Sequence, residues 1–341
     1  MVSAPTQRKI AVIGSGLAGL TAAYLLCSNV DDTGKKESFE VHLFEKGDRI
    51  GLDAASVDVA GVDGKVYRVD NPMRAVQGGG VRDVVHKLLR DIPQDGMDSH
   101  VHLACELVHL QRSRIDDNKL ELLDSQGESW HFDHVIFATQ ANQARHLLRT
   151  YYKSLVDEPK RDLELLRYEQ WRQDALSHFQ YTQTIVVCHY DAASVLPHDS
   201  CDRRMLNIAT WADPFNTGHL DEKLGYDPSK QVSAEHIMAT HDLSILHPAL
   251  RSPFGEPLLQ TTNPTVPIAE DQIVSRKVFD RAIVTKTSRE ALKWFLDCEG
   301  ERSCQGRGGI WFVGSWAAEG IPLLEGCVTS AERVSEAIRC R

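Results

Sequence analysis

A glycine-rich turn lies between two apolar runs near the start of the chain, and it constrains the fold more than any other feature. The run Lys9–Ile13 is short and rich in β-branched residues, which is typical of a strand buried on both faces. Residues 20–26 favour a helix. The turn between them has the G-x-G-x-x-G spacing and consists of Gly14, Ser15, Gly16, Leu17, Ala18 and Gly19. Strand, turn and helix in this order predict a Rossmann-like unit that binds a dinucleotide.

Each glycine of this turn has its own expected task. Gly14 permits the tight turn, Gly16 lets the backbone approach a pyrophosphate, and Gly19 lets the helix pack closely on the strand. The helix N-terminus would then present free N–H groups and a partial positive charge to the anion. A glycine-rich turn that binds no ligand is the alternative interpretation.

An acidic residue follows the second apolar strand, which we expect over residues 39–44. Glu45 can accept hydrogen bonds from the ribose hydroxyls of a dinucleotide, and its charge would repel a 2′-phosphate. It lies 26 residues after Gly19 (45 − 19 = 26), and a polar loop over residues 29–38 accounts for this distance. The pair of motifs therefore favours a dinucleotide without a 2′-phosphate.

Composition narrows the class of protein. The 341 residues include 38 Lys and Arg against 48 Asp and Glu, so the net charge is −10 and nucleic acid is not expected as the main partner. The eight cysteines are scattered without a C-x-x-C pair, which indicates reduced thiols and a cytoplasmic location. Three glycines interrupt the apolar stretch over residues 10–27, so we expect neither a signal peptide nor a membrane-spanning segment.

The order of these motifs resembles a known group of flavoproteins. The turn over residues 14–19, followed by Glu45, Lys46, Arg49 and Gly51, is similar to the FAD-binding start of the flavin amine oxidase superfamily. That superfamily includes amine oxidases, phytoene-type desaturases and protoporphyrinogen oxidase. Its second glycine after the arginine is replaced here by Leu52, which departs from the pattern.

Residues 66–79 resemble the next element of one branch, the predicted FAD/NAD(P)-binding oxidoreductases. The resemblance implies that the backbone around Arg74 lies beside the reactive edge of the isoalloxazine ring. An ordinary hairpin that ends in a glycine loop is the alternative. Relatives carry a long helical segment after this element, whereas here it is fused to the helix that follows Gly80. The shortened substrate site is therefore open, or covered by a second copy in a homodimer, or altered in activity.

Further cofactor contacts follow from the same resemblance. The strand backbone near Leu107 would border the adenine, and Ala138 and Thr139 would end the strand that returns to the FAD domain. The closing motif contains Gly314, Ser315, Leu324 and Glu325. A backbone N–H near Leu324 and the N-terminus of the last helix could stabilise negative charge on the flavin.

These elements predict an α/β fold. We expect a discontinuous Rossmann-like FAD-binding domain over residues 1–150 and 266–341, of the glutathione-reductase and amine-oxidase type. A smaller mixed-sheet substrate domain is expected over residues 151–265. Its expected helix spans residues 159–179, and its expected strands span residues 182–190, 205–212 and 232–240.

The resemblance implies an FAD-dependent oxidoreductase that transfers hydride from a small organic substrate to flavin N5, as an oxidase, dehydrogenase or desaturase, with a place in secondary metabolism. Arg74, Gln77 and Trp316 are the catalytic candidates near the ring, and Tyr190 and Trp211 are expected on the substrate side. Two alternatives stay open. One is a flavoprotein that guides a cyclisation or isomerisation without redox turnover, and the other is a non-catalytic remnant.

No metal site is expected from the sequence. His100 and His102 would share one face of a strand, with His109 nearby in the chain. A zinc site needs three or four ligands, and no acidic or cysteine partner is suitably spaced in the sequence around them.

Overall fold

The computed structural model describes residues 7–28, 39–51, 55–72, 80–92, 100–158, 162–211, 236–298, 300 and 303–341. The sequence predictions on the loop over residues 29–38, on Leu52, Arg74 and Gln77, and on the loop that joins residue 77 to residue 80 lie outside these described residues.

The strands are β1 Lys9–Ile13, β2 Glu40–Phe44, β3 Val57–Ala60, β4 Val66–Val69, β5 Val101–His102, β6 Leu107–Arg112, β7 Leu120–Asp124, β8 Ser129–Phe132, β9 His134–Phe137, β10 Gln180–His189, β11 Leu206–Trp211, β12 His236–Asp242, β13 Leu259–Thr262, β14 Ile273–Ile283 and β15 Ile310–Phe312. The helices are α1 Leu17–Ser28, α2 Val81–Leu89, α3 Ala141–Asp157, α4 Leu163–Ser177, α5 Ala192–Val195, α6 Lys286–Leu296 and α7 Leu324–Arg339. They form two units.

The first unit comprises Met1–Ala54, Arg82–Gln180 and Ala282–Arg341. Its main sheet has the strand order β15-β9-β1-β2-β5, and the neighbouring strands run parallel. In β1 the side chains of Ile10, Ala11 and Val12 are all fully buried, so both faces of the strand are covered. Helix α1 packs against α7 and β2. The predicted Rossmann-like core is therefore present.

A second, antiparallel sheet of this unit consists of β6, β7 and β8. The sequence over residues 100–111 and 119–124 predicts two strands of one small sheet, but the structure divides the first stretch between two sheets. The break falls at Ala104, whose φ of 51° is left-handed. Strand β5 consequently joins the parallel sheet, and β6 begins the antiparallel one.

Helix α3 is an element that the sequence analysis did not predict. Its buried side chains include Leu147, Leu148, Tyr151 and Leu155, which recur at the spacing of one helical face. This face packs against β6 and α4. The periodic signal is present in the sequence, and α3 fills the interval between the strand that ends at Phe137 and the predicted helix α4.

The second unit comprises Ala55–Val81 and Tyr181–Arg281. Its sheet has the order β11-β12-β13-β10-β14, and β3 and β4 form a separate antiparallel hairpin. One apolar cluster includes Ile185 and Val187 of β10, and another combines Cys188 with Val59 and Val69 of the hairpin. Alternate residues of β10 therefore contribute to two different apolar clusters.

The two units divide the chain at positions other than the expected domain boundaries. Residues 55–81 join the second unit, where the Gln260 side chain donates to the Asp70 carbonyl at 3.1 Å and Asn71 donates to Ser275 at 3.2 Å. Residues 151–180 lie in the first unit and residues 266–281 in the second. The assignment of FAD binding and substrate binding to separate domains stays a prediction.

A histidine with a strongly perturbed pKa lies inside the second unit. His189 is fully buried at the end of β10, and its Nε2 atom lies 2.8 Å from the Thr261 hydroxyl. That hydroxyl lies 2.9 Å from the Thr240 hydroxyl, so the His189 Nε2 atom and the two hydroxyls form a buried chain of hydrogen bonds. Burial lowers the pKa of His189 to about 4.

We expect His189 to make the second unit sensitive to acid. The unfolded chain would bind this proton near pH 6.5, so the folded state loses stability as the pH falls from about 6.5 towards about 4. The slope from this group reaches about 1.4 kcal/mol per pH unit. In urea unfolding between about pH 7 and about pH 5, His189→Gln should flatten the profile, since its amide cannot titrate. The exposed His198→Gln variant is the control, and equal slopes for H189Q and the wild type would contradict the assignment.

Candidate functional site

The carboxyl ends of the parallel strands meet at one edge of the main sheet, and backbone hydrogen bonds continue beyond the strands there. Gly14 N–H donates to the last carbonyl of β2 at 2.8 Å, and Ala138 N–H donates to the last carbonyl of β1 at 2.9 Å. Val313 N–H donates to the last carbonyl of β9 at 3.0 Å. The glycine turn, the end of β9 and the end of β15 are therefore held side by side.

This edge contains the point at which the strand order changes direction. From β1 the chain passes to β2 on one side, whereas β9 and β15 lie on the other side. In open parallel sheets, ligands bind in the crevice at such a switch point, outside the carboxyl ends of the strands. Gly14 itself packs against the Ala138–Thr139 segment, so a ligand at this switch point would lie beyond it, beside Gly16.

The three glycines of the turn have different surroundings. Gly14 has a φ of +101°, and a Cβ atom built on it would lie 2.9 Å from the Ala138 carbonyl oxygen. A Cβ built on Gly19 would lie 1.9 Å from the Gly14 carbonyl oxygen. Among the described residues, a Cβ built on Gly16 has no neighbour within 4 Å. Gly14 and Gly19 are therefore needed for packing, whereas Gly16 faces open space where a ligand could approach the backbone.

The carboxylate of Glu45 is fixed by the same turn. Its Oε2 atom accepts hydrogen bonds from the Ser15 N–H at 3.1 Å and from the Ser15 hydroxyl at 2.5 Å. Its Oε1 atom accepts from Gly47 N–H at 2.9 Å. The Ser15 hydroxyl itself accepts from Gly51 N–H at 2.7 Å. Because a carboxylate has about four acceptor positions, one position on Oε1 remains for a further donor.

This donor set fits part of a dinucleotide. The first N–H groups of α1 have no partner within the helix, and its first turn carries no acidic side chain. They lie directly after Gly16, so they can bind a pyrophosphate. The remaining acceptor on Glu45 fits one ribose hydroxyl. The described residues thus fit a diphosphate and a ribose.

Two further predicted cofactor residues follow Glu45 in the chain, and a third begins a strand that approaches this segment in space. Lys46 and Arg49 have exposed side chains just after Glu45. After β5, Ala104 N–H donates to the Gly47 carbonyl at 2.7 Å. Leu107 then begins β6 and is half-buried. The approach of this strand to the residues after Glu45 agrees with the expected position of Leu107, whose role stays a prediction.

The closing motif forms the other side of the sheet edge. Gly314 follows β15 with a φ of 149°, and its N–H donates to the Ser330 hydroxyl of α7 at 3.0 Å. Helix α7 begins at Leu324 without a side-chain hydrogen bond at its N-cap, and Glu325 is exposed in its first turn. The first N–H groups of α7 are therefore not capped by the preceding side chain.

Trp316 lies in an aromatic core beneath this edge. Only 5% of its surface is exposed, and its ring centroid lies 4.7 Å from that of Phe179 and 5.3 Å from that of Phe295. Its Nε1–H donates to the Thr139 carbonyl at 2.9 Å. This packing favours a role in holding the segment at the end of β9, rather than direct contact with a substrate.

The structure describes only some of the remaining predicted site residues. Tyr190 lies in the second unit, half-buried, and it packs against the cluster that contains Cys188. Only the backbone of Trp211 is described, and Arg74 and Gln77 lie outside the described residues.

Sequence reasoning missed the part played by Ser15. The sequence places it among the cofactor-binding residues of the glycine turn, whereas the structure shows that its fully buried side chain joins Glu45 to Gly51. The small hydroxyl side chain at this position was the available sequence signal, but only the folded structure shows that Ser15, Glu45 and Gly51 are in contact.

Comparison with known proteins agrees with this architecture. Residues 12–92 match the family model of an NAD(P)-binding Rossmann-like domain. The fold is similar to that of a protein from Exiguobacterium sp. 255-15 that is proposed to be a protoporphyrinogen oxidase. The TM-score is 0.54 with 11% sequence identity, over 98% of this chain and 99% of that chain. No curated protein matches the sequence.

These findings confirm the dinucleotide-binding Rossmann-like domain and the α/β fold. The similarity to the Exiguobacterium protein shows that the two chains share a fold over nearly their whole lengths. Within the described part of the chain, no helix has the length and apolar content that crossing a membrane requires.

Alanine substitutions at two glycines should separate folding from ligand binding. Gly19→Ala places its Cβ atom against the Gly14 carbonyl, so we expect a loss of stability of about 1–3 kcal/mol. Gly16→Ala meets no protein atom, so its melting temperature should equal that of the wild type while dinucleotide affinity falls about tenfold or more. Thermal unfolding and calorimetric titration with FAD measure both effects. Unchanged affinity in G16A would contradict the site.

Glu45→Gln should change selectivity for the ribose. The substitution removes the charge, and its NH₂ group would face the N–H donors of Ser15 or Gly47. Affinity of the cofactor-free protein for ADP should fall about tenfold, and discrimination against adenosine 2′,5′-bisphosphate should weaken. Asp48→Asn, which removes an exposed carboxylate from the same loop, is the matched control. Equal effects of the two variants would show that Glu45 acts only through net charge.

Proposed function

We propose that this protein is an FAD-dependent oxidoreductase that acts on a small organic molecule. The observation that carries the proposal is the switch-point crevice, where open space above Gly16 adjoins the fixed carboxylate of Glu45. The fold similarity to a protein proposed to be a protoporphyrinogen oxidase supports an oxidoreductase of this general type.

The sequence carries a single G-x-G-x-x-G fingerprint, which supports one dinucleotide rather than a flavin together with NAD(P)H in a second Rossmann domain. A feature of the first unit favours FAD as that dinucleotide. This unit has a second uncapped helix start, at Leu324 of α7, after the Gly314 turn. FAD would use both helix starts, because its central diphosphate can bind at one and its electron-accepting ring at the other.

FAD supplies the chemistry of accepting a hydride equivalent from a substrate carbon. The backbone N–H groups of α1 would bind its pyrophosphate, and Glu45 would orient one ribose hydroxyl. The strand start at Leu107 would border the adenine. The first N–H groups of α7, near Leu324, would stabilise negative charge on the ring and so raise its electron affinity.

The substrate side of the proposal rests on the resemblance of the sequence. Arg74 and Gln77 are the proposed residues beside the reactive edge, and Tyr190 and Trp211 are proposed to face the substrate. Trp316 is proposed to position the Thr139 segment through its hydrogen bond. We also propose that the shortened substrate segment is covered by a second copy of the chain.

The visible absorption spectrum of the protein purified without added cofactor tests the proposal. We expect absorption bands at about 370 and about 450 nm, which are typical of oxidised flavin. Both bands should be lost in the Gly16→Ala variant. Substrate added under anaerobic conditions should bleach the longer-wavelength band. A coloured protein that converts substrate without bleaching would indicate a flavoprotein with non-redox turnover. A protein that stays colourless after incubation with FAD would overturn the flavin assignment and leave a non-catalytic remnant.

A further inference from the structure

Three histidines and a glutamate lie together on one face of two neighbouring strands in the first unit. Glu40 and His42 are two residues apart on β2. His100 directly precedes β5, and His102 is its last residue. The strands are in parallel register, with Phe44 opposite His102, and Leu43 N–H donates to the His100 carbonyl at 2.7 Å. The alternation of side chains therefore places all four groups on the same side of the sheet.

The distances among these groups approach those of a coordination shell. His42 Nε2 lies 3.0 Å from Glu40 Oε1, and one ligand atom each from Glu40, His42 and His100 lie within 4.8 Å of one another. Ligand atoms about 2.1 Å from a tetrahedral zinc ion are about 3.4 Å apart. A small contraction of the cluster would thus bring three ligands to bonding distance.

The second nitrogen of His42 already has an orienting partner. Its Nδ1 atom lies 3.0 Å from His102 Nε2. When Nε2 of an imidazole binds a metal ion, Nδ1 carries the proton and donates it to an acceptor, which fixes the ring orientation. His102 Nε2 is in place to be that acceptor, so the fourth residue of the cluster orients a ligand.

We propose that Glu40, His42 and His100 bind a divalent transition-metal ion of the zinc type, with His102 orienting His42. Two imidazoles and a carboxylate are a ligand set that such ions favour. The fourth coordination position is left for water or an exogenous ligand.

An aromatic side chain lies against the cluster. The His42 side chain is 12% exposed and packs edge-to-face against Phe132, with ring centroids 5.4 Å apart. An apolar wall of this kind strengthens the attraction between a cation and its ligands.

Two features of the metal-free protein must change when an ion binds. The Lys9 ammonium lies 2.6 Å from Glu40 Oε1, where it neutralises the carboxylate. Its side chain is 43% exposed, so it can move into water. The rings of His42 and His100 are stacked with centroids 4.3 Å apart and an interplanar angle of 21°, so His100 must rotate before both lone pairs point at one ion. Lys9 is therefore a built-in competitor of the metal.

Calorimetric titration of the full, tag-free chain with Zn²⁺ tests this proposal. We expect one saturable site per chain. His100→Asn and Glu40→Gln should each weaken its affinity at least tenfold, and Lys9→Met should tighten it, because the carboxylate loses its competing cation. His109→Asn, a half-buried histidine of β6 outside the cluster, is the matched control and should bind as the wild type does.

Thermal unfolding provides a second readout that does not depend on flavin content. Zn²⁺ should raise the melting temperature of the wild type and of H109N, and should leave that of H100N unchanged. Circular dichroism of each variant without metal establishes that it folds, and E40Q serves if H100N does not. Absence of saturable binding, or equal binding by the wild type, H100N and E40Q, would overturn the site. Neither result bears on the visible spectrum that tests the flavin proposal.

Discussion

The parallel pairing of β1 with β2 and β9 is the interaction on which the rest of the first unit depends. Buried strands must satisfy every backbone N–H and C=O group, and here the ladder extends past the strand ends to Gly14 and Ala138. The same hydrogen bonds that complete the ladder therefore fix the turn at the sheet edge. The crevice arises from backbone pairing, and only then do side chains such as Glu45 give it chemical character.

Hydrogen bonds within the protein hold the Glu45 carboxylate in one orientation. Ser15 contributes two donors and Gly47 a third, so the carboxylate cannot rotate without losing hydrogen bonds. A group held in this way gives up little conformational entropy on binding, and its selectivity depends on the single acceptor position that remains. Ser15 in turn holds the Gly51 backbone, which brings the segment after β2 against the glycine turn.

The sequence predicted those parts of the fold whose signals are local. β1 is a mostly apolar run and β2 alternates apolar with polar residues, so both strands were predicted at nearly their observed bounds. The break at Ala104 was missed, because a left-handed alanine has no distinctive sequence signal. The assignment of residues 55–81 to the second unit was also missed, because it depends on contacts such as Gln260 with Asp70, which lie 190 residues apart. Within the site, the motif identified Glu45 and the glycines, whereas the supporting hydrogen bonds from Ser15 and Trp316 required the packed structure.

Strand β2 carries a carboxylate at each end, and the two have opposite surroundings. Glu45 accepts hydrogen bonds from neutral N–H and hydroxyl groups of Ser15 and Gly47, which leave its negative charge in place. The carboxylate is therefore suited to a ribose hydroxyl and would repel a further negative charge. Glu40 is approached by the ammonium of Lys9 and the ring of His42, which suit it to a cation. The strand is rigid because β1 and β5 pair with it on both sides. An ion bound at Glu40 would join β2 to β5, and the backbone that leaves β5 contacts Gly47, so it would stiffen the segment that orients Glu45 without contacting the dinucleotide.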